Sequence, residues 1–290
     1  MGKQVPIDDS AVVDGVDNDG VRQLTSDLGY QRLAMANVGY FGMPTAARQP
    51  RSAWVLIDAG LPGCAARITR AAERSFGERK APVAIIVTHG HVDHVGSLEE
   101  LAAQWDVPVY AHDFELPFLN GMFAYPPPDP SVGGGFLSLT SPFFSRGPID
   151  VSPWLRALPA DGAVPGMPGW RWIHTPGHTA GHISLWRPDD KTLIAGDAFI
   201  TTNQESAYAA AMQRPELHGP PTYFTPDWES AGESVRRLAA LLPELVLAGH
   251  GRPLRGESMR NALALLARDF EQIAIPHPRR YGDGESSHSL

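Results

Sequence analysis

The segment Thr88–Gly96, THGHVDHVG, sets three histidines and one aspartate among Gly, Val and Thr, directly after the apolar run VAIIV (83–87). The run reads as a buried strand, so His89, His91, Asp93 and His94 are delivered at a strand's C-terminal end, where α/β folds place their active sites. Alternate residues of an extended chain face the same way, which lets His89 and His91 grip one cation together. Asp93 continues that alternation while His94 faces elsewhere, an arrangement suited to a second ion beside the first. One motif can seed two sites and fill neither. The remaining ligands have to come from distant sequence, and the fold has to bring them there.

Candidates stand at the ends of three more strand-like runs. HTPGHTAGH (174–182) offers His174, His178 and His182, IAGDAF (194–199) offers Asp197, and LAGHG (247–251) offers His250. Gly177 before His178 and the glycines beside Asp197 and His250 let the backbone turn sharply and approach an ion closely. His178 and His182 have the i, i+4 spacing of a zincin helix, but Thr179 stands where the catalytic Glu would be needed and Pro and Gly crowd the segment. His182 therefore reads as a buried histidine that orients strand and loop. His112, His174 and His218 read as supporting or ordinary histidines, and His277 and His288 as tail residues without a role.

The ordered set HxHxDH, TPGH, GD and GHG resembles the metallo-β-lactamase fold superfamily of metallohydrolases, over roughly Val21 to Leu254. The resemblance implies that His89, His91 and His178 hold one metal, that Asp93, His94 and His250 hold the second, and that Asp197 bridges both. It implies an α/β fold, a four-layer αββα sandwich of two mixed sheets with helices outside. The runs WVLIDAG (54–60), VAIIVTHG (83–90), WRWIHTPGH (170–178), HISLW (182–186), TLIAGDAF (192–199) and LVLAGHG (245–251) read as strands compatible with it. Helix-like stretches cover 65–77, closed by Gly77, and a segment through LEELAAQ with a capping box from Ser97 and Glu100. Two further amphipathic stretches flank LVLAGHG.

Imidazole and carboxylate ligands without thiolate suit two Zn²⁺ per chain, with Mn²⁺ or Fe²⁺ as alternatives. The single cysteine, Cys64, excludes an intrachain disulfide framework, fits a reducing compartment and reads as a small packed hydrophobe. Two ions acidify a shared water to hydroxide, which attacks an electrophilic carbonyl or phosphoryl centre. By the family's pattern Asp93 orients that nucleophile and shuttles its proton. Tyr208 and Tyr223 are candidate transition-state contacts.

True β-lactamases of this fold generally carry Cys or Ser where the resemblance puts Asp197, so antibiotic hydrolysis ranks low. His91 stands where the flavodiiron oxidoreductases have Glu. A formal net charge of −8 and no Lys/Arg run argue against nucleic acid as a partner. The resemblance points to the lactonase and glyoxalase II-like branch, and a small molecule is the expected partner. A lactone or carboxylic ester with an apolar portion ranks first and a thioester second. Phosphotriester or phosphodiester hydrolysis and mononuclear-iron sulfur dioxygenation complete the alternatives.

The 290 residues divide into a flexible N-terminal arm (1–20), a single metallohydrolase domain (21–276) and a flexible tail (277–290). Residues 113–168, rich in Pro, Gly and aromatics, read as an insertion, expected to form an apolar lid beside the site or an interface. No run is long enough to span a bilayer and the N-terminal stretch lacks a signal-peptide core, so the expected location is the cytoplasm. A symmetric homodimer is the prior expectation for such an enzyme.

Overall fold

Val55, Leu56 and Ile57 are all buried, yet Val55 and Ile57 belong to one core and Leu56 to another. A strand covered on both faces has to lie between two layers. The computed structural model, which describes residues 4–13, 16–18, 20–44, 53–125, 149–202 and 215–276, shows what those layers are.

Among the described residues one sheet orders eight strands: β2 (Val16–Asn18), β3 (Val21–Gln23), β4 (Leu28–Leu33), β5 (Ala36–Phe41), β6 (Val55–Ile57), β7 (Ala84–Ile86), β8 (Val109–Ala111) and β9 (Leu155–Ala157). It is antiparallel up to β6 and parallel from β6 to β9. A second sheet orders β10 (Arg171–His174), β11 (Ile183–Arg187), β12 (Thr192–Gly196), β14 (Leu245–Ala248) and β15 (Leu254–Arg255). Strands β10 and β12 both run opposite to β11, and β14 is parallel to β12, so all three end at the same edge. A short ribbon pairs β1 (Val5–Pro6) with β13 (Glu216–Leu217).

Period-two alternation sorts the side chains into three cores. Ile57 and Ile86 from the first sheet share the central core with Ile183, Leu185, Ile194 and Leu247 from the second. The first sheet's outer face, through Leu56 and Ile85, packs under α1 (Ala65–Phe76) and α3 (Leu98–Trp105). The second sheet's outer face, through Leu193 and Val246, packs under α5 (Trp228–Ala239) and α6 (Gly256–Arg268). The result is the αββα sandwich that the resemblance implied. No described helix is long and apolar enough to cross a membrane.

The local signals succeed where they are local. Helix α1 stops at Gly77 (φ 107°), and the Asp227 carboxylate caps α5 by accepting from the Ser230 N–H at 3.0 Å. The capping box expected at Ser97 does not form. Its hydroxyl instead donates to the Leu61 carbonyl at 2.7 Å and accepts from the Cys64 N–H at 2.9 Å, tying α3 to the turn before α1.

Two larger expectations change. In the stretch 1–20, expected as a flexible arm, described residues are anchored: Val5 is buried opposite Leu217, and Ile7 and Val12 pack on the outer core of the second sheet. Its apolar residues outweigh its polar appearance. In the segment expected as an insertion, α4 (Leu116–Leu119) and β9 are regular elements, and β9 extends the first sheet beyond β8. A three-residue strand is too short for its alternation to stand out among prolines and glycines. Residues 126–148, on which the lid expectation chiefly rests, and the tail 277–290 lie outside the described residues.

Trp54 anchors the outer layer. It is fully buried, stacks on Phe76 at 4.8 Å, meets Trp105 edge-on at 5.5 Å, and donates its indole N–H to the Lys80 carbonyl at 3.0 Å. Trp54→Ala is expected to cost about 3–5 kcal/mol in chemical denaturation of the metal-free protein, and a loss below about 1 kcal/mol would show that α1 is held elsewhere.

Candidate metal centre

Past β7 the chain bends at Thr88, and His91 is extended (φ −68°, ψ 149°) before one helical turn, α2 (Val92–Val95). The alternation read from the sequence therefore ends at His91, and Asp93 and His94 leave from a helical turn rather than from opposite faces of a strand. Both still reach the centre. His178 follows β10, Asp197 is the residue after β12, and His250 lies two residues beyond β14. The common direction of those strands is what brings the three to one edge.

Three overlapping groups result, and within each the candidate ligand atoms lie within 4.8 Å of one another: His89, His91 and His178; His89, His94 and Asp197; Asp93, His94 and His250. His91 Nδ1 stands 2.9 Å from His178 Nε2. His250 Nε2 is 3.2 Å from Asp93 Oδ2, and His94 Nε2 is 3.8 Å from the same oxygen. The Asp197 carboxylate faces both sides, with Oδ2 3.5 Å from His178 Nε2 and 3.1 Å from His250 Nε2, and Oδ1 3.6 Å from His94 Nε2.

The donor set fits a cation. His89 Nε2 and Asp197 Oδ1 are buried polar atoms without a hydrogen-bond partner among the described residues, a costly arrangement unless something else satisfies them. Gly249 makes room, since a Cβ there would stand 2.1 Å from Asp197 Oδ1. Five imidazoles and two carboxylates suit a borderline or hard divalent ion.

Four of the five imidazoles, those of His94, His250, His178 and His89, are held from behind at their other ring nitrogen. Asp58 Oδ2 takes His94 Nδ1 at 2.9 Å, and the Met35 carbonyl takes His250 Nδ1 at 2.9 Å. Thr225 Oγ1 meets His178 Nδ1 at 3.1 Å, and Thr88 Oγ1 meets His89 Nδ1 at 3.1 Å. Asp58 is itself held by the N–H and hydroxyl of Thr88, both at 2.8 Å. His182 Nε2 accepts the Asp197 N–H at 2.8 Å, the orienting role its neighbourhood suggested.

Electrostatics divide the centre in two. Burial, reinforced by the neighbouring imidazoles, holds His89 well below its ordinary pKa, and burial takes His91 down to about 4. Burial also holds His178 well below the ordinary range, so this triad offers neutral nitrogen lone pairs. Burial opposes charge on His94 and His250 too, but Asp197 and Asp93 beside them win, holding His94 well above its ordinary value and His250 up to about 10. Against the same burial, His94 and His250 keep the Asp93 and Asp197 carboxyls below their ordinary range.

The cleft above is lined by Met35, Leu61, Val92, Pro221 and Phe224 around the ligand-type residues, with the Phe224 ring 5.0 Å from that of His91. Tyr208 lies outside the described residues; Tyr223 falls in a single 3₁₀ turn, Thr222–Phe224, with its side chain outside them too. His112 and His174 stack on one another at 4.1 Å beside Trp172, and His218 pairs with Glu216 at 3.3 Å. Neither pair contributes to the metal-binding groups. Asp58, Thr225, Glu115 and Tyr125 were not singled out in the sequence. Asp58 lies inside the run WVLIDAG (54–60), directly after β6.

A profile of the metallo-β-lactamase superfamily matches residues 48–250, the span that carries every residue of the centre. The chain belongs to the metallo-β-lactamase superfamily. It is 48% identical over 241 residues to the probable metallo-hydrolase YflN of Bacillus subtilis (strain 168), covering 83% of this chain and 90% of the relative. A hydroxyacylglutathione hydrolase of Alkalilimnicola ehrlichii is 38% identical over 130 residues, covering 45% of this chain and 37% of that protein. Among solved structures, TTHA1623 in a di-iron-bound form shares the fold with a TM-score of 0.52 at 24% identity, over 81% of this chain and 95% of that one.

The buried Asp58–His94 contact is a carboxylate–imidazole pair that fixes which His94 nitrogen faces inward. Asp58→Asn is expected to keep the folded circular dichroism spectrum and to weaken metal binding by about 10–100-fold in chelator competition. An unchanged affinity would show that His94 is oriented without Asp58.

Proposed function

We propose that this chain is a dinuclear metallohydrolase that opens an ester-type bond, a lactone or carboxylic ester carrying an apolar portion. The observation that carries the substrate reading is the cleft wall. Met35, Leu61, Val92, Pro221 and Phe224 supply an apolar surface directly beside the donor cluster, and no Lys or Arg lines it among the described residues. The hydrolase reading is supported by family membership and by the 48% identical relative's name, probable metallo-hydrolase.

On this reading His89, His91 and His178 hold one ion, Asp93, His94 and His250 hold the other, and Asp197 reaches both. Bound there, a pair of divalent ions supplies a hydroxide near neutral pH and Lewis acidity for the carbonyl oxygen. The chain's own residues do the rest. Asp93 has a side chain one-fifth exposed at the cleft, against 2% for Asp197, so Asp93 orients the attacking water and passes its proton toward the leaving group. The apolar wall receives the substrate's hydrocarbon part and excludes water from around the reacting carbonyl.

Zinc is the proposed metal and iron the alternative, because a structure of the same fold is described as di-iron-bound. A thioester is the second substrate reading, favoured by the partial match to a hydroxyacylglutathione hydrolase.

Acid release in a pH-stat, with lactone, ester, thioester and β-lactam substrates in parallel, tests the reading. The zinc-loaded protein is expected to turn over a lactone or ester, and Asp93→Asn to lose at least about 100-fold of that rate. Phosphotriester turnover without ester or lactone turnover would sink the substrate proposal. Removing metal with a chelator is expected to abolish activity and zinc to restore it. Full activity in a preparation shown by elemental analysis to be metal-free would sink the mechanism.

A further inference from the structure

Glu115 is fully buried, just beyond β8, and no part of the proposed chemistry uses it. Its carboxylate gathers four donors. Oε2 accepts from the Gly90 N–H at 2.9 Å and from the Tyr125 hydroxyl, and Oε1 accepts from the Gly181 N–H at 3.0 Å and the Thr179 hydroxyl at 2.6 Å. Burial pushes its carboxyl above the ordinary range, and the four donors pull the other way.

The identity of those donors matters more than their number. Gly90 sits between His89 and His91, and Thr179 follows His178 directly. One carboxylate therefore spans the two chain segments that supply the all-histidine triad. These segments are 87 residues apart in sequence and meet across the two sheets, so no local turn sets their separation.

Both segments are shaped to receive the carboxylate. A Cβ on Gly90 would stand 3.2 Å from Glu115 Oε2 and 2.8 Å from the Tyr125 hydroxyl oxygen. A Cβ on Gly181 would stand 2.7 Å from Glu115 Cγ and 2.9 Å from Oε1. Tyr125, fixed at its hydroxyl, lays its ring 4.6 Å from that of His91 and stacks on Phe118 at 4.1 Å. The second triad has different supports, Asp58 behind His94 and the Met35 carbonyl behind His250.

The geometry points to Glu115 as a positioning residue for one half of the centre: it fixes the distance between the His89–His91 segment and His178, and thereby the affinity of the triad they form. Asp93, His94 and His250 do not depend on it. The inference rests on the ligand assignment proposed above and is independent of the substrate.

The test is a metal titration. Metal-free protein is titrated with Co²⁺, read by its visible bands, and with Zn²⁺ against a chelator, giving two binding constants. His250→Ala identifies which constant belongs to the histidine triad. Glu115→Gln keeps the side chain's size but opposes an NH₂ donor to groups that already donate. It is expected to lower the triad's constant by about 10–100-fold and to alter that equivalent's cobalt bands, while the other constant stays within about threefold.

Two unchanged constants, or two that fall alike, would overturn the inference, because a merely structural carboxylate has no reason to act on one ion. Should Glu115→Gln fail to fold, Thr179→Val removes a single donor from the His178 side. It is expected to lower the same constant by about three- to tenfold, and no loss there would overturn the inference. Wild-type constants in His178→Ala would overturn the ligand assignment and this inference together.

Discussion

Five imidazoles and one carboxylate have been taken out of water at one point, with a second, partly exposed carboxylate beside them, and the rest of the structure answers to that cost. A buried polar group that is left unpaired is expensive, and a buried charge more so. The centre meets the cost by dividing itself. The triad of His89, His91 and His178 is held neutral by burial, while His94 and His250 are set against Asp93 and Asp197. The first half presents lone pairs and the second presents charge. What stays unpaid within the protein, at His89 Nε2 and Asp197 Oδ1, faces the place where a cation would satisfy it.

Such an arrangement survives only on a rigid frame, and the sandwich is pinned at both of its ends. The donor loops tie the strand ends together at one edge. At the opposite edge Arg187, at the end of β11, donates to both oxygens of Asp27 at 2.9 and 2.8 Å, joining the second sheet to the turn that precedes β4. Asp190 holds the other side of the guanidinium at 2.6 Å, and the Trp170 ring lies 4.8 Å from its carbon. A planar fork between two carboxylates has little freedom to reorient. Sliding of one sheet over the other would have to break this clamp and would also carry His89 and His91 away from His178.

Much of this was legible in the sequence because it is written in local patterns. The apolar runs that end in His89, Asp197 and His250 become β7, β12 and β14, and Gly77 ends α1 where it was read to. What stayed hidden depends on partners far along the chain. Asp58 lies 36 residues before the His94 it orients, Thr225 lies 47 after His178, and Glu115 lies 66 before Gly181. No spacing rule links such pairs. Ser97 is the instructive case: its sequence environment announces a helix cap, but two backbone groups of the preceding turn, the Leu61 carbonyl and the Cys64 N–H, claim the hydroxyl. The one-turn helix α2 was missed for a related reason. Four residues cannot show a helical period, and the histidine alternation that precedes it is a strand's signal.

The two carboxylates of the centre show how burial, rather than residue type, separates roles. Asp197 is almost fully buried at the floor of the cleft, with its backbone N–H held by His182 and both oxygens facing imidazoles. A group so enclosed is suited to holding a charge in place. Asp93 has the same chemistry and shares His94 and His250 as neighbours, yet its side chain opens onto the cleft. On the proposed reading, the group that passes a proton from the attacking water to the leaving group has to lie within hydrogen-bond reach of the reacting atoms. Of the two carboxylates, Asp93 is the more open to the cleft, with 20% of its side chain exposed against 2% for Asp197. Its place on the short turn after His91, rather than on the strand itself, is what lifts it to the surface of an otherwise buried cluster.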